Sequence, residues 1–277
     1  MLKQLIIDWT PPAFLKVMRK HFLTFKSITF RDNFDSWEEA KKKCNGYDAE
    51  VILHKVLEST LKVKSGAAVY ERDSFLFDKV CYSWPVLAAL MTVAAKNKGK
   101  LDVLDFGGAL GSSFFQNKKF LDNVPYLNWS IIEQPNFVET GIKFIQNDSI
   151  KFYKTINACV VKTKPNVILL SSVLQYLEQP QKILKELSEL DIDMLIIDRT
   201  PFYNDNQASS IKIQYVPEYI YKASYPCWFF SLQDFIANLE QLGYRKVEQF
   251  DALDNLSDEV SFLGLIFEKM SKDELSK

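Results

Sequence analysis

Residues 101–113 read LDVLDFGGALGSS, and this stretch decides the fold class. Its first half, 101–106, is a short apolar run typical of a buried strand. Its second half brings three of the nine glycines of the chain within five positions, at Gly107, Gly108 and Gly111. Glycine permits left-handed backbone angles and lets amide groups approach a ligand at a helix N-terminus. The stretch therefore predicts a strand, a ligand-binding turn and a helix, with an ordinary tight turn as the alternative.

The rest of the C-terminal two thirds alternates between strand and helix patterns. Further strands are predicted at 127–133, 150–156, 166–171, 194–198, 244–250 and 261–268. Helices are predicted at 135–145 and 180–190, and a third runs from Ser231 to Gly243. Strands that alternate with helices pair in parallel through right-handed crossovers. The pattern predicts an α/β fold, a doubly wound Rossmann-like sheet of seven strands.

The first 99 residues predict a helical N-terminal cap in front of a domain that covers residues 100–270. Helices are expected at 13–21, 36–43 and 49–62, the last with Val51, Ile52, Val56 and Leu57 inward, and another from Ser83 to Gly99. The polar cluster YERDS at 70–74 is expected to be a helix start or a solvated turn. The alternative is a polar finger that reaches into a site, with Arg72 and Asp73 as substrate contacts.

Composition excludes several classes of protein. Hydrophobic residues make up 47% and charged residues 25%, as in ordinary globular proteins, and the net charge of −1 gives no attraction to nucleic acid. The four cysteines form no C-x-x-C pair, so we expect no metal site and a reducing, cytoplasmic location. No apolar run is long enough to span a bilayer. The basic helix at 13–21 predicts packing on its own domain, with weak contact to a membrane surface as the alternative.

The ligand of the glycine turn is expected to contain adenosine. Glu133 ends the second predicted strand about 20 residues after Gly111, where a carboxylate accepts hydrogen bonds from ribose hydroxyls. A dinucleotide motif is broken, because Phe106 stands where its first glycine belongs. The S-adenosylmethionine pattern, acid-x-G-x-G-x-G, begins at Asp105 and departs only at Ala109. Carboxylates also suit the positive sulfonium of that cofactor.

Catalytic candidates follow the fourth and fifth predicted strands. Gln175 and Tyr176 stand where many small-molecule methyltransferases have a histidine, and His21 and His54 lie far upstream. Asp198 could accept a proton, and Arg199 either binds an acidic substrate group or forms an internal salt bridge. The aromatic-rich insert at 201–230 is expected to overhang the site, with Tyr225 and Trp228 against the acceptor or simply packed within the loop.

Several of these runs resemble one protein family. They are LDFGGALGS at 104–112, IEQ at 132–134, LSSVLQYL at 170–177, IDRTP at 197–201 and ASYPCW at 223–228, with Gly46-Tyr47 and YERDS upstream. Together they resemble a family of S-adenosylmethionine-dependent methyltransferases encoded among bacterial lipopolysaccharide and surface-polysaccharide biosynthesis functions. The resemblance covers about residues 37–243. It implies a class I methyltransferase fold and a saccharide-linked role.

The leading hypothesis is therefore a methyltransferase that acts on a small or saccharide-linked acceptor, with no metal and no nucleic-acid partner. Its predicted cofactor contacts are Asp105, Gly107, Gly108, Ala109, Gly111, Ser112, Glu133, Gln134 and Ser171. A second hypothesis is a non-catalytic module that binds S-adenosylmethionine or a partner, motivated by Ala109 and the absent histidine base. A third, a nucleotide-dependent oxidoreductase or epimerase, is disfavoured by Phe106 and by the absence of a Tyr-x-x-x-Lys dyad.

Overall fold

The computed structural model describes residues 29–44, 49–216, 223–255 and 260–271. The predicted helix at 13–21, the Gly46-Tyr47 pair and His21 lie outside these residues. In chain order the elements are β1 (Thr29–Phe34), α1 (Trp37–Lys43), α2 (Ala49–Lys64), β2 (Tyr70–Arg72), β3 (Phe75–Phe77), α3 (Trp84–Lys96), β4 (Lys100–Phe106), α4 (Ser112–Leu121), β5 (Tyr126–Ile132), α5 (Pro135–Phe144), β6 (Ile150–Tyr153), α6 (Ile156–Val160), β7 (Val167–Ser171), a 3-10 turn (Leu174–Tyr176), α7 (Pro180–Ser188), β8 (Met194–Tyr203), β9 (Ser210–Val216), β10 (Ala223–Phe229), α8 (Leu232–Gln241), β11 (Tyr244–Asn255) and β12 (Val260–Lys269).

A seven-stranded sheet in the order β6-β5-β4-β7-β8-β12-β11 forms the centre of the molecule. The pairs among β6, β5, β4, β7 and β8 are parallel, and β12 lies antiparallel between β8 and β11. The strand order reverses beside β4, because β5 lies on one side of it and β7 on the other. The predicted doubly wound Rossmann-like fold of seven strands is confirmed.

Helices cover both faces of this sheet. The central strands are therefore buried on both sides, and their sequences are continuous apolar runs. Helices α2 to α5 contribute buried residues such as Leu90 and Phe137 to one core layer. Helices α6 to α8 contribute residues such as Leu184 and Leu239 to the layer on the other face. Parallel strands buried on both faces favour continuous apolar sequence over alternation.

A second sheet, of three antiparallel strands in the order β1-β9-β10, corrects two predictions. The N-terminal region is not helical throughout, because β1 lies before the first described helix. The insert at 201–230 is not an irregular loop, because β9 and β10 pair along seven positions from Ala223 to Phe229. The outer face of β9 packs on α1 through Phe34, Ala40, Ile211 and Ile213.

A tight hairpin replaces the helix start or solvated turn expected at 70–74. Strands β2 and β3 pair from Tyr70↔Phe77 to Arg72↔Phe75. The two connecting residues, Asp73 and Ser74, have φ angles of 52° and 66°. Positive φ at both central positions is the geometry of a two-residue hairpin turn, and aspartate tolerates it better than most residues do.

Smaller differences concern the ends of elements. Strand β6 stops at Tyr153, and the predicted end of that strand is instead the short helix α6, which Thr155 caps by accepting from the amide of Ala158. Ser83 precedes α3 as predicted, but its side chain makes no capping hydrogen bond. Val51 faces outward, whereas Ile52 and Val56 are buried. Among the described residues, no helix combines the length and apolar character needed to cross a bilayer.

Candidate functional site

A cleft of about 1390 Å³ opens at the carboxyl edge of the central sheet, where β4 and β7 diverge. Open α/β sheets bind ligands at this switch point, because the loops that follow the two strands separate there. The glycine turn at 107–111 forms one wall. The β2–β3 hairpin, the start of the segment after β7 and the three-stranded sheet form the others.

The glycine turn uses left-handed backbone angles at three of its five residues. The φ angles are 74° at Gly107, 49° at Ala109 and 100° at Gly111. Gly111 is the N-cap of α4, and its amide donates to the carbonyl of Gly108 at 2.9 Å. Ala109 stands where the motif has a glycine. It adopts a left-handed conformation although it carries a side chain.

Two glycines of the turn are needed because other groups approach them closely. A Cβ atom at Gly107 would lie 2.3 Å from Cγ2 of Val173, in the segment after β7. A Cβ atom at Gly108 would lie 2.4 Å from Oδ2 of Asp105. Neither position has room for a side chain. Glycine at both positions therefore lets the ends of β4 and β7 lie close enough together to border one cleft.

Three carboxylates surround the turn, and each contacts a different part of it. Asp105 lies directly beneath Gly108, and its Oδ2 accepts from Nε1 of Trp129 at 2.8 Å. Glu133, at the end of β5, accepts from the amide of Ala109 at 3.2 Å through Oε1. Glu71, on β2, accepts a short hydrogen bond from the hydroxyl of Ser112, the first residue of α4.

Burial favours the neutral form of all three carboxyl groups. It raises the pKa of Asp105 to about 7, with a further contribution from the negative charge of Glu133. It also raises the pKa of Glu71 to about 7, although the hydroxyl of Ser112 favours the charged form. Burial raises the pKa of Glu133 as well, against hydrogen bonds from the amides of Gln134 and Ala109. A ligand with positive charge would favour their ionised forms.

Arg199 connects the hairpin to the end of β11 by ion pairs. Its Nη2 lies 2.5 Å from Oδ2 of Asp73, and its Nε lies 2.5 Å from Oδ2 of Asp254. Arg72 lies 3.8 Å from the other oxygen of Asp254. The guanidinium of Arg199 is 14% exposed, and both carboxylates raise its pKa. The internal salt bridge, one of the two readings of Arg199 from the sequence, is the arrangement present.

A chain of three hydrogen-bonded polar side chains lines another part of the cleft. The hydroxyl of Tyr176 donates to Oε1 of Gln214 at 3.0 Å. Nε2 of Gln214 donates to the hydroxyl of Tyr225 at 2.8 Å. The two tyrosine rings meet edge to face, with centroids 5.3 Å apart. Burial raises the pKa of Tyr176, so its hydroxyl stays protonated and keeps the hydrogen bond to Gln214.

Gln175 and Asp198, two of the predicted catalytic residues, lie behind the cleft wall. Nε2 of Gln175 donates to the hydroxyl of Ser172 and to the carbonyl of Arg199, both at 3.2 Å. Ser172 and Arg199 each have a φ of 54°, so this amide holds two left-handed residues in place. Asp198 is buried and accepts from the hydroxyl of Ser171, and burial raises its pKa to about 6.

The structure brings together about two thirds of the residues predicted for the site. The predicted residues that line the cleft are Gly107, Gly108, Ala109, Ser112, Glu133, Gln134, Ser171, Asp73, Tyr176, Arg199 and Tyr225. Those that do not line it are Asp105, Gly111, Arg72, Gln175, Asp198 and Trp228. Trp228 instead stacks between Trp37 and Phe230 and donates to the carbonyl of Leu177.

The cleft-wall residues that were not among the predicted contacts include Glu71, Gln214 and Asp254. Glu71 belongs to the polar cluster at 70–74. The alternative hypothesis, that this cluster reaches into a site, would have included it. Gln214 interrupts an alternating apolar strand. A glutamine that is buried in such a strand indicates a polar group with a specific role. Nothing in the sequence indicated Asp254, because the predicted strand ends at residue 250. Of the two histidines, His54 is exposed on α2, away from the cleft.

Comparison with known proteins gives a likeness of fold. No protein-family model matches the sequence, and no curated protein matches it. The N-terminal domain of EvdMO1, solved in the presence of S-adenosylhomocysteine and D-fucose, is 11% identical with a TM-score of 0.49, and the match covers 78% of this chain and 96% of that one. The 1,6-didemethyltoxoflavin-N1-methyltransferase of Burkholderia thailandensis is 11% identical with a TM-score of 0.43, over 88% and 95%.

The [4+2]-cyclase SpnF is similar to the same degree, with 10% identity and a TM-score of 0.48 over 80% of this chain and 94% of that one. These similarities concern the fold, and the function is inferred from the residues of the cleft.

Proposed function

We propose that this protein is an S-adenosylmethionine-dependent methyltransferase. The observation that carries the proposal is the ring of three carboxylates, Glu71, Asp105 and Glu133, around a glycine turn at the switch point of the sheet. A diphosphate at this turn would lie beside carboxyl groups whose ionised forms repel it. A cofactor with a positive sulfonium, a positive ammonium and no phosphate has complementary charge.

The residues at the turn fit the parts of such a cofactor. Glu133 would accept from the ribose hydroxyls, and Ser171 and Gln134 also line the cleft. When bound, S-adenosylmethionine supplies an electrophilic methyl group on sulfur. The protein would contribute by holding the acceptor atom in line with that carbon, since positioning alone accounts for much of the catalysis of a displacement. Tyr176 and Tyr225 are placed to orient an acceptor by hydrogen bonds.

The acceptor that we propose is a small saccharide-linked molecule, following the resemblance noted in the sequence. Alternate residues of β9 face the cleft, and the two that do so are Lys212 and Gln214. Nζ of Lys212 lies 5.3 Å from the ring centre of Phe229, and no carboxylate among the described residues pairs with it. Aromatic faces suit the apolar side of a sugar ring, and Lys212 suits a phosphate or carboxylate group on it.

Isothermal titration calorimetry with the purified protein tests the cofactor. S-adenosylmethionine and S-adenosylhomocysteine are titrated beside NAD and a nucleotide sugar. We expect micromolar binding of the first pair alone, about −8 kcal/mol. Binding of NAD instead, with none of the first pair, would overturn the proposal in favour of the oxidoreductase.

A matched pair of variants locates the cofactor on the turn. Glu133→Ala should weaken binding of S-adenosylmethionine about tenfold or more, because it removes a charged hydrogen-bond acceptor. Glu58→Ala is the control, since this glutamate is exposed on α2, pairs with Lys62 and does not line the cleft. Equal affinities in the two variants would remove Glu133 from the site.

A second candidate function is a binding module without turnover. It is favoured by the position of Asp198 and Gln175 behind the wall, which leaves no predicted proton acceptor facing the cleft. This candidate predicts that S-adenosylmethionine binds but that no methyl group reaches any sugar, sugar phosphate or nucleotide sugar. Transfer of a labelled methyl group to one of these acceptors would exclude it.

A further inference from the structure

Glu71 carries an oxygen that the protein leaves without a partner. The residue is 1% exposed and borders the cleft from the β2–β3 hairpin. Its Oε1 accepts from the hydroxyl of Ser112, whereas its Oε2 is buried and makes no hydrogen bond of normal length and angle with the described residues. The backbone amide of Ser74 lies close enough to favour the charged form of Glu71 but does not complete such a bond. Buried carboxylate oxygens are ordinarily satisfied, so an unsatisfied one beside a cavity indicates a donor that comes from a ligand.

The charges around Glu71 come from its own hairpin and from β8. Asp73 opposes ionisation of Glu71, and Arg199 favours it. Arg199, however, is held by Asp73 and Asp254, and these two carboxylates balance its charge. Glu71 therefore has no counterion of its own, and a buried carboxylate in that state is costly unless a cation reaches it.

We propose that Glu71 binds the ammonium group of the methionine portion of S-adenosylmethionine. The inference rests on the function proposed above and assigns to the hairpin a part of the cofactor site. Ser112 is the first residue of the helix that follows the glycine turn, so its partner Glu71 lies beside that turn. An ammonium has three donors, whereas a sulfonium has none, and the missing partner of Oε2 is a donor.

Two ligands separate the amino-acid portion from the rest of the cofactor. S-adenosylhomocysteine and 5′-deoxy-5′-methylthioadenosine are both neutral at sulfur, and only the first has the amino-acid group. The affinities of both ligands, and that of S-adenosylmethionine, are measured by calorimetry for the unmodified protein, for Glu71→Gln and for Glu58→Gln. Glu58 is an exposed glutamate on α2 that pairs with Lys62, and it serves as the matched control.

Glu71→Gln should weaken S-adenosylhomocysteine about 10- to 100-fold, the usual effect of a lost charged hydrogen bond, and methylthioadenosine less than about twofold. Glu58→Gln should change neither. Ser112→Ala, which removes the partner that orients Glu71, should give a smaller loss confined to the same ligand. It tests the inference independently if Glu71→Gln lowers the amount of folded protein.

Three results would overturn the assignment while leaving the cofactor in place. Equal losses for both ligands would make Glu71 a structural support of the turn. Tighter binding of S-adenosylhomocysteine to Glu71→Gln would place the methionine carboxylate, and not the ammonium, beside this residue. A loss for S-adenosylmethionine without one for S-adenosylhomocysteine would assign Glu71 to the sulfonium. Failure of the unmodified protein to bind any of these ligands would instead refute the proposed function.

Discussion

Ala109 shows how a single backbone angle can preserve a binding turn whose sequence departs from its motif. The residue has a φ of 49°, and its amide still donates to Glu133. Left-handed angles cost an L-residue other than glycine about 1 kcal/mol or more. The turn therefore keeps its shape under local strain, and the strain is measurable.

Replacing Ala109 by glycine should stabilise the protein, because glycine adopts this angle without the steric cost. We expect Ala109→Gly to raise the free energy of unfolding by about 1 kcal/mol, or the melting temperature by about 2–4 °C. The control is Ala88→Gly in the exposed middle of α3, which should destabilise by about 1 kcal/mol. Loss of stability in both variants would mean that the methyl group of Ala109 contributes more by packing than its backbone angle costs.

Asp105 should make the cofactor-free protein less stable as the pH rises. Its pKa is about 7 in the folded protein and about 3.8 in a free side chain, so the folded state holds a proton that the unfolded state has lost. The free energy of unfolding therefore falls between about pH 4 and pH 7, by up to about 1.4 kcal/mol per pH unit.

Asp105→Asn removes this titration and keeps an acceptor for the indole of Trp129. The variant should gain stability relative to the unmodified protein between about pH 4 and pH 7, as measured by urea unfolding at several pH values. Asp122→Asn, a change of an exposed aspartate at the end of α4, is the control. Parallel pH curves for Asp105→Asn and the unmodified protein would show that Asp105 is ionised when folded.

At the scale of elements, the central strands could be predicted and the second sheet could not. Strands β4, β7 and β8 are buried on both faces, and burial leaves a continuous apolar run in the sequence. Strand β1 reads TFRDNF, contains a bulge and pairs with β9 more than 170 residues away. Its stability comes from that partner and from α1, and neither is visible in a local window of sequence.

Candidate site residues could be predicted where they follow a central strand, because the strand itself is visible in the sequence as an apolar run. Glu133 follows β5, Arg199 follows the predicted strand at 194–198, which β8 extends to Tyr203, and both reach the cleft. Asp198 precedes Arg199 by one residue and points behind the wall, because successive side chains of a strand face opposite sides. The left-handed angle at Arg199, which directs its guanidinium to Asp73 and Asp254, has no signal in the sequence.

The Arg199 ion pairs should hold the β2–β3 hairpin against the sheet. Arg199→Gln leaves Asp73, which is 58% exposed, without its partner, and leaves the less exposed Asp254 with Arg72 at 3.8 Å. We expect a loss of about 1–2 kcal/mol, below the cost of a fully buried pair because water screens Asp73. Hydrogen exchange of amides 70–77 should accelerate about tenfold, as measured by mass spectrometry.

The control for this element is Lys62→Gln, which breaks the exposed pair with Glu58 on α2. It should cost less than about 0.5 kcal/mol and leave exchange in the hairpin unchanged. If Arg199→Gln accelerates exchange throughout the chain to the same extent, the ion pairs support the whole fold, and the hairpin is not selectively held.

At the scale of the molecule, the cleft combines segments that are far apart in the chain. Glu71 and Asp73 come from the N-terminal region, Glu133 from the first half of the sheet, and Arg199 and Asp254 from its second half. The carboxylates without counterions gather at the glycine turn, whereas Asp73 and Asp254 are paired with Arg199. This separation gives the cofactor end of the cleft carboxyl groups whose ionised forms a cationic ligand would favour and complement.

Binding of a cationic cofactor should therefore depend on pH in a defined direction. Below about pH 7 a fraction of Glu71 and Asp105 is protonated, since the pKa of each is about 7, and the raised pKa of Glu133 adds to this. A sulfonium and an ammonium favour the ionised carboxylates, so binding must release protons. By linkage, the affinity for S-adenosylmethionine should rise between about pH 5.5 and pH 7, by up to about tenfold per pH unit for each proton released.

Calorimetry in two buffers of different ionisation enthalpy, at about pH 6.5, measures this proton release directly. We expect release with S-adenosylmethionine and less with methylthioadenosine, which carries no charge at sulfur and no ammonium. At a ligand concentration 100 times its Kd, the cofactor should stabilise the fold by about 2.7 kcal/mol. At a fixed ligand concentration the rise in melting temperature should be larger near pH 7 than near pH 6. Proton uptake with S-adenosylmethionine would mean that the carboxylates stay neutral in the complex, and that their charge does not select the ligand.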